Sequence, residues 1–328
     1  MQGVNVTESV KPLLASRVSL APMAGITDYV LRSLVRENSK NCLLTTEMIS
    51  SEALTQVKDT DIVVRDENHS PISYQLSGHK PQMLADCAQY LQKYADMIDI
   101  NMGCPVNKVV KGTDGCALMR NPNLAEEIVK TVKSQISIPL SVKFRLGYTV
   151  DEMNFVEYGQ RMQEAGADFI TIHGRTRSQM YGGKADWRKI AELKRNVDIP
   201  VFANGDVVSI ETAVQCLEES CADGVAIGRG ALGDVTLIGR VEKYLNTGVY
   251  LPPPTIEEKI EGMKKHLLKE VEFRGEDVGI KFVRKFYPYY VNGFPGASKY
   301  RGELVLTDNL QRILELLDDV LTRNCLKS

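Results

Sequence analysis

Eight short apolar runs, each ending in polar or glycine-rich sequence, constrain this chain more than any other feature. They cover residues 18–20, 43–46, 72–76, 97–100, 140–144, 169–172, 201–203 and 224–227. Helix-like segments such as 81–94 and 123–134 lie between them, with Pro81 and Pro122 fitting a first helical turn, where the missing N–H costs nothing. Strand and helix alternating at about 25–30 residues build βαβ units on a parallel sheet. Eight such units match an α/β fold of the (β/α)8 TIM-barrel type. A doubly wound sheet shares the period, since periodicity does not decide closure. The polar groups favour the barrel, because they collect at one end of the strands: Glu47, Gln75, Asn101, Cys104, Lys143, Arg145, His173, Arg175, Asn204, Asp206, Gly228 and Arg229. Barrel active sites form at that face.

The period stops near residue 250, where Leu251-Pro252-Pro253-Pro254 cannot continue a helix. Beyond it the sequence reads as helices only, over 256–273, 278–291 and 310–321. The expected organisation is therefore a barrel domain over 1–250 and an all-helical C-terminal domain over 251–328. No stretch free of Asp, Glu, Lys and Arg exceeds 13 residues, whereas a membrane span needs about 20 apolar residues. Glu8 and Lys11 stand in a polar N-terminal stretch without a signal-peptide core. Seven cysteines without a CxxC pair fit a reduced, cytoplasmic protein.

Four motifs carry chemistry. Asn101-Met102-Gly103-Cys104-Pro105 follows a strand and can present a thiol at the barrel mouth, as an acid or a nucleophile. Cys42, Cys87, Cys216 and Cys221 read instead as small buried residues. Lys143 interrupts an apolar strand and shares its face with Ser141 and Arg145. A buried lysine must meet an anion or a polarised ligand atom, or form a Schiff base. His173 opens His173-Gly174-Arg175-Thr176-Arg177 and can donate to a carbonyl or move a proton. None of the four histidines is spaced with cysteines or acids as zinc ligands are, so no metal is expected.

Gly228-Arg229-Gly230-Ala231-Leu232-Gly233 has the GxGxxG spacing, but in the eighth unit rather than the first. The acidic strand end that a dinucleotide fingerprint requires about 20 residues later is missing, and prolines stand there. In a barrel, the loops after the seventh and eighth strands hold a phosphate. Asn204-Gly205-Asp206 and Gly228-Arg229 are those loops, so a phosphorylated cofactor is expected.

The net charge of −2 does not advertise a nucleic-acid binder. Residues 281–301 are the exception: Lys281, Arg284, Lys285, Lys299 and Arg301 alternate with seven aromatics, and no acid intervenes. Basic groups interleaved with aromatics suit phosphate and base contacts, while a buried aromatic stripe with a solvated basic face explains the same pattern.

Taken together, these residues resemble the tRNA-dihydrouridine synthase family, in particular its bacterial B-type subgroup. The resemblance covers nearly the whole chain. It rests on Ala21-Pro22-Met23-Ala24-Gly25-Ile26-Thr27-Asp28, Glu47-Met48-Ile49-Ser50-Ser51, Gln75, Asp99-Ile100-Asn101-Met102-Gly103-Cys104-Pro105 and Lys143. His173-Gly174-Arg175-Thr176-Arg177, Asn204-Gly205-Asp206 and Gly228-Arg229 complete it. The resemblance implies an FMN-dependent barrel with a helical RNA-binding domain, reducing the uracil 5,6 double bond with NADPH or NADH. It implies that Pro22, Met23 and Ala24 line the isoalloxazine, with Gln75, Lys143 and His173 at the flavin. Asn204, Gly205, Asp206, Gly228 and Arg229 would hold the phosphate end. Cys104 would be the general acid, Asn101 would contact the uracil, and Arg175, Arg177, Lys281, Arg284 and Lys285 would contact RNA.

The implied partner is tRNA, with ribosomal RNA as an alternative, and the implied protein is a cytoplasmic monomer. The chain departs from the B-type pattern at Phe286, at Tyr289, after Arg229 and at Cys116. Two other classes share parts of the pattern: an FMN barrel reductase of a free pyrimidine or enone, and a non-catalytic RNA-binding protein.

Overall fold

The computed structural model describes residues 10–56, 63, 64 and 66–325. The N-terminal stretch containing Glu8 lies outside them. The strands are β1 (Val18–Leu20), β2 (Leu44–Thr45), β3 (Ile49–Ser50), β4 (Ile72–Ser77), β5 (Met97–Met102), β6 (Leu140–Arg145), β7 (Phe169–His173), β8 (Val201–Asn204) and β9 (Gly224–Ile227). Apart from β3 they run in the order β1-β9-β8-β7-β6-β5-β4-β2, all parallel. A parallel bridge between Ser19 and Leu43 joins the two ends, with Leu20 N–H donating to Leu43 O at 2.9 Å. The sheet is thus a closed eight-stranded barrel, the arrangement the strand-end polar groups favoured, and not a doubly wound sheet. Its interior is filled: the space among Ser19, Ser73, Asp99, Ser141 and Thr171 amounts to about 10 Å³.

Two details differ from the expected strands. Several strands run past their apolar runs, so Asn101, Arg145, His173 and Asn204 are ladder residues, with Arg145 opposite His173 and His173 opposite Asn204. Backbone pairing does not depend on side-chain polarity, so the ladder continues where the hydrophobic signal ends. The extra strand β3 pairs with the extended end of β4, Ile49 opposite Leu76.

Helices α1 (Tyr29–Asn38), α2 (Ser51–Gln56), α3 (Pro81–Leu91), α4 (Asn107–Lys111), α5 (Pro122–Gln135), α6 (Phe155–Glu164), α7 (Trp187–Lys194), α8 (Ile210–Ser220) and α9 (Thr236–Thr247) accompany the barrel. Pro81 and Pro122 open α3 and α5 as expected. Each longer helix turns an apolar stripe inward; α5 buries Ala125, Ile128, Val129 and Val132, the spacing of one helical face.

After the prolines, α10 (Ile256–Arg274) starts with a capping box in which Thr255 and Glu258 satisfy each other's backbone N–H. It is followed by α11 (Glu276–Val283), α12 (Tyr287–Tyr290), α13 (Ala297–Leu306) and α14 (Leu310–Cys325). The single helix expected over 278–291 is divided by a 3-10 turn, Arg284–Phe286. Pro288 is the cause, since it has no N–H to donate and crowds the preceding turn. Helix α13 escaped the sequence reading because Ala297 and Leu304 are its only buried residues. These helices enclose a second apolar cluster, including Met263, Leu267, Phe286 and Leu317, to which the barrel adds Leu232.

Polar ties hold the helices against the barrel. Arg274 pairs with Asp28 at 2.7 Å, Lys265 and Lys269 pair with Glu37, and Lys285 Nζ donates to Gly25 O. No helix among the described residues is long and apolar enough to cross a membrane.

Candidate active site

A cleft of about 590 Å³ opens at the C-terminal ends of the strands. Its walls bring together most of the residues expected from sequence: Pro22, Met23, Ala24, Gln75, Asn101, Cys104, Lys143, His173, Asn204, Gly205, Asp206, Gly228 and Arg229.

Cys104 is carried on the loop that leaves β5. Asn101 Oδ1 accepts the N–H groups of Gly103, at 3.2 Å, and Cys104, at 2.9 Å. Asn101 Nδ2 donates to Gln75 Oε1 at 2.8 Å, and Gln75 Nε2 donates to Asp99 Oδ2 at 2.6 Å. Ser141 Oγ closes the chain on Asp99 Oδ1 at 2.5 Å. A Cβ on Gly103 would crowd the backbone of β6, at 3.1 Å from Phe144 Cα and 3.2 Å from Lys143 O, so glycine fits this approach best. Burial pushes the Cys104 thiol above its ordinary range, and the nearby Arg145 and Lys143 offset this only in part. The thiol therefore keeps its proton at neutral pH. That suits a proton donor better than a nucleophile, which acts as thiolate.

Lys143 lies on β6 with its ammonium buried. Burial first, and Arg145 second, bring its pKa down to about 8, while Asp99 opposes the shift. It remains mostly cationic at pH 7. Its Nζ donates to Asn204 Oδ1 at 3.1 Å, and Asn204 Nδ2 donates to Ala226 O at 2.7 Å. Asn204 thus orients the lysine.

His173 is buried among cations, and burial together with Arg145 and Lys143 depresses its pKa well below the ordinary value. It is neutral at pH 7. Arg175 Nη1 lies 3.2 Å from His173 Nε2. A guanidinium only donates, so Nε2 accepts and Nδ1 carries the proton.

Arg175 itself is 1% exposed and is not a cleft wall. It donates to both carboxylate oxygens of Asp206, at 2.8 and 2.7 Å, and to Gly182 O and Gly183 O. Burial pushes the Asp206 carboxyl up, but Arg175 and the N–H of Ala185 outweigh it and hold the carboxyl low. Asp206 is ionised, so it suits holding the two arginines near it better than meeting an anion. Arg229 stands 3.6 Å from Asp206 with its side chain half exposed. Gly205 has φ +118°, and a Cβ there would lie 2.8 Å from His173 Cδ2. This close approach needs glycine.

The expected RNA contacts are scattered by comparison. Arg177 reaches Asn107 Oδ1, and Arg284 pairs with Asp308 at 2.5 Å. Lys285 is tied to Gly25 O and lies 3.2 Å above the Phe282 ring. Lys281 is exposed. Phe286 is fully buried.

Three further cleft residues, Arg145, Tyr181 and Tyr289, carried no assigned site role in the sequence. The alternation of Lys143 with Arg145 signals the first. Tyr181 takes its place between the guanidiniums of Arg145 and Arg229, with Cζ atoms 5.5 and 5.2 Å from its ring centre. Tyr289, a departure from the B-type pattern, comes from the helical region; its carbonyl packs where a Cβ on Gly233 would fall.

The cleft has the character of a site for an anionic, polarisable ligand. Among the described residues, Asn204 Oδ1 is the one hydrogen-bond acceptor of the buried Lys143 ammonium, which has three donors to satisfy. The half-exposed Arg229, beside Gly228 and 3.6 Å from Asp206, offers a guanidinium to a phosphate. A flavin phosphate fits this set. Fold and site together define a barrel with a polar cleft at the C-terminal ends of its strands and a protonated thiol in its wall.

The dihydrouridine synthase family model matches residues 19–325. The "probable tRNA-dihydrouridine synthase 1" of Synechocystis is 42% identical over 97% of this chain and 92% of its own length. The "tRNA-dihydrouridine synthase B" of Pseudomonas aeruginosa is 36% identical over 88% of each chain. Among solved structures, a 2-naphthoyl-CoA reductase in complex with 2-naphthoyl-CoA aligns with a TM-score of 0.53 at 11% identity. It covers 71% of this chain and 50% of that one, a likeness of fold. The chain belongs to the dihydrouridine synthase family.

Proposed function

We propose that this protein reduces the C5=C6 bond of uridines in tRNA to dihydrouridine, with FMN as resident cofactor and NADPH or NADH as reductant. The observation that carries this reading is the convergence of Cys104, Lys143, His173 and Arg229 on one cleft at the mouth of the barrel. FMN, when bound, supplies hydride transfer from the nicotinamide to the pyrimidine. The chain's own residues bind and orient. Lys143 places positive charge beside the ring system, Arg229 neutralises the phosphate, and neutral His173 offers an N–H donor. Cys104, protonated because it is buried, delivers the proton that the second carbon of the double bond requires.

A uridine must leave its stack to enter a cleft of this depth. Tyr289 on the helical side of the cleft and the basic 281–301 segment support a helical region, from about residue 251 on, that holds the surrounding RNA. The cysteine usage supports a reduced, cytoplasmic setting. The test is single-turnover reduction of unmodified tRNA by the FMN-loaded protein, with dihydrouridine mapped by mass spectrometry. Mapping RNA from cells lacking the protein identifies the position. A protein that takes up no FMN, or forms no dihydrouridine from tRNA, overturns the reading.

A further inference from the structure

His79 and Asp114 take no part in the roles above. His79 lies two residues past Ser77, the end of β4, and Asp114 immediately precedes Gly115 on the segment that returns against Cys104. His79 Nδ1 donates to Asp114 Oδ1 at 2.8 Å, with side chains 32% and 20% exposed. Asp114 occupies the N-cap position of the 3-10 turn Gly115–Arg120 but makes no side-chain cap bond. Its carboxylate faces His79 instead.

The residues that follow Asp114 are packed directly onto the cysteine. Gly115 has φ +59°, and a Cβ there would lie 2.8 Å from Cys104 O and 3.0 Å from Cys104 Cβ. Cys116 N–H donates to Cys104 O at 3.1 Å. Asp114 stands at the start of this support. The end of β4 reaches Cys104 by two routes. One runs through Gln75 and Asn101 to the Cys104 N–H. The other runs through His79, Asp114 and Cys116 to the Cys104 carbonyl.

We propose that His79 and Asp114 are positioning residues for Cys104, a strut that keeps the segment from Val106 to Cys116 seated so that the thiol stays aimed into the cleft. This rests on Cys104 acting as the proton donor. Misplacing a reacting group by about 1 Å costs up to roughly 10² in rate, whereas a partly exposed side-chain contact without such a role contributes little.

The test compares His79→Ala, His79→Asn, Asp114→Ala and the double alanine variant as full-length, FMN-loaded proteins. Lys130→Ala is the control, since Lys130 pairs with Glu126 on the exposed face of α5 and lines no part of the cleft. Two readouts are taken: the iodoacetamide labelling rate of Cys104, resolved by mass spectrometry without RNA, and reoxidation of the reduced protein by unmodified tRNA. His79→Ala should slow reoxidation by about 10–10² and shift the labelling rate, while FMN content, RNA affinity and reduction by NADPH stay at wild-type levels. His79→Asn, whose amide still donates, should recover most of the rate. The double variant should be no slower than either single one, because partners in one interaction are not additive.

Wild-type labelling and reoxidation in His79→Ala overturn the strut, as do loss of FMN in parallel with the rate and an asparagine variant no better than alanine. If the unaltered protein transfers nothing to tRNA, the proposed function fails, while the labelling arm still decides the strut.

Discussion

Asn101 Oδ1 accepts the N–H of Cys104 at 2.9 Å while Asn101 Nδ2 donates to Gln75, so one amide ties the thiol-bearing loop to the barrel wall. Asn101→Ala leaves the Gly103 and Cys104 N–H groups and the Gln75 carbonyl oxygen without this partner. The expected cost is about 1–3 kcal/mol of stability, read by thermal unfolding, together with slower reoxidation by tRNA. Unchanged kinetics at full stability would show that the loop holds itself.

Cys104→Ala separates the acid from a bystander. FMN should stay bound and reducible by NADPH, while reoxidation by tRNA slows by about 10²–10⁴. Cys116→Ala and Cys87→Ala should change that step little, because both thiols are buried and burial pushes them up, to about 12 and about 11. Rapid mixing of prereduced protein with tRNA, followed by flavin absorbance, reads the difference.

Arg229→Ala should weaken FMN retention. A charge-assisted phosphate contact contributes about 1.5–3 kcal/mol, so the dissociation constant should rise by roughly 10–10². Fluorescence titration of FMN into the apoprotein measures it, and unaltered affinity would remove Arg229 from the phosphate site.

Lys143 sets a pH dependence with a defined sign. Its pKa before ligand binding is lowered to about 8, so the cation is present below that pH and lost above it. Binding of reduced, anionic flavin should be flat up to about pH 7 and weaken through pH 8–9, with the limb absent in Lys143→Gln. The proton-donating step has its own limb at higher pH, because the Cys104 thiol is shifted upward. A common limb that survives Lys143→Gln would assign the titration to another group.

Among the basic residues at 281–301, Lys281 should carry the plainest RNA effect. Lys281→Ala should lower affinity uniformly and reduce the salt slope by about 0.7–0.9, the signature of one phosphate contact. Arg284→Ala and Lys285→Ala should act through the ties to Asp308 and Gly25 that they break, lowering thermal stability as well. Fluorescence anisotropy across salt concentrations, beside thermal unfolding, tells these apart.

The βα period determined a parallel α/β sheet, and the one-sided placement of polar residues and the Asn101–Pro105 motif pointed to one end of its strands. These signals are local: apolar runs specify strands, and a polar residue at a strand end declares which end is used. The proline break before α10 is equally local, and it marked the change to helices. Closure was not local, since it needed Ser19 on β1 to meet Leu43. Three further things were decided only by tertiary packing. Arg175, which sequence placed among the substrate contacts, is buried holding Asp206, because its direction depends on the carboxylate that the neighbouring strand's loop presents. Lys285 turns to Gly25 rather than outward, because α11 and the 3-10 turn after it dock against the first loop of the barrel. His79 finds Asp114 although 35 residues separate them. A side chain's residue type fixes the bonds it can make, but its partner is chosen by chain segments that only the closed barrel brings together.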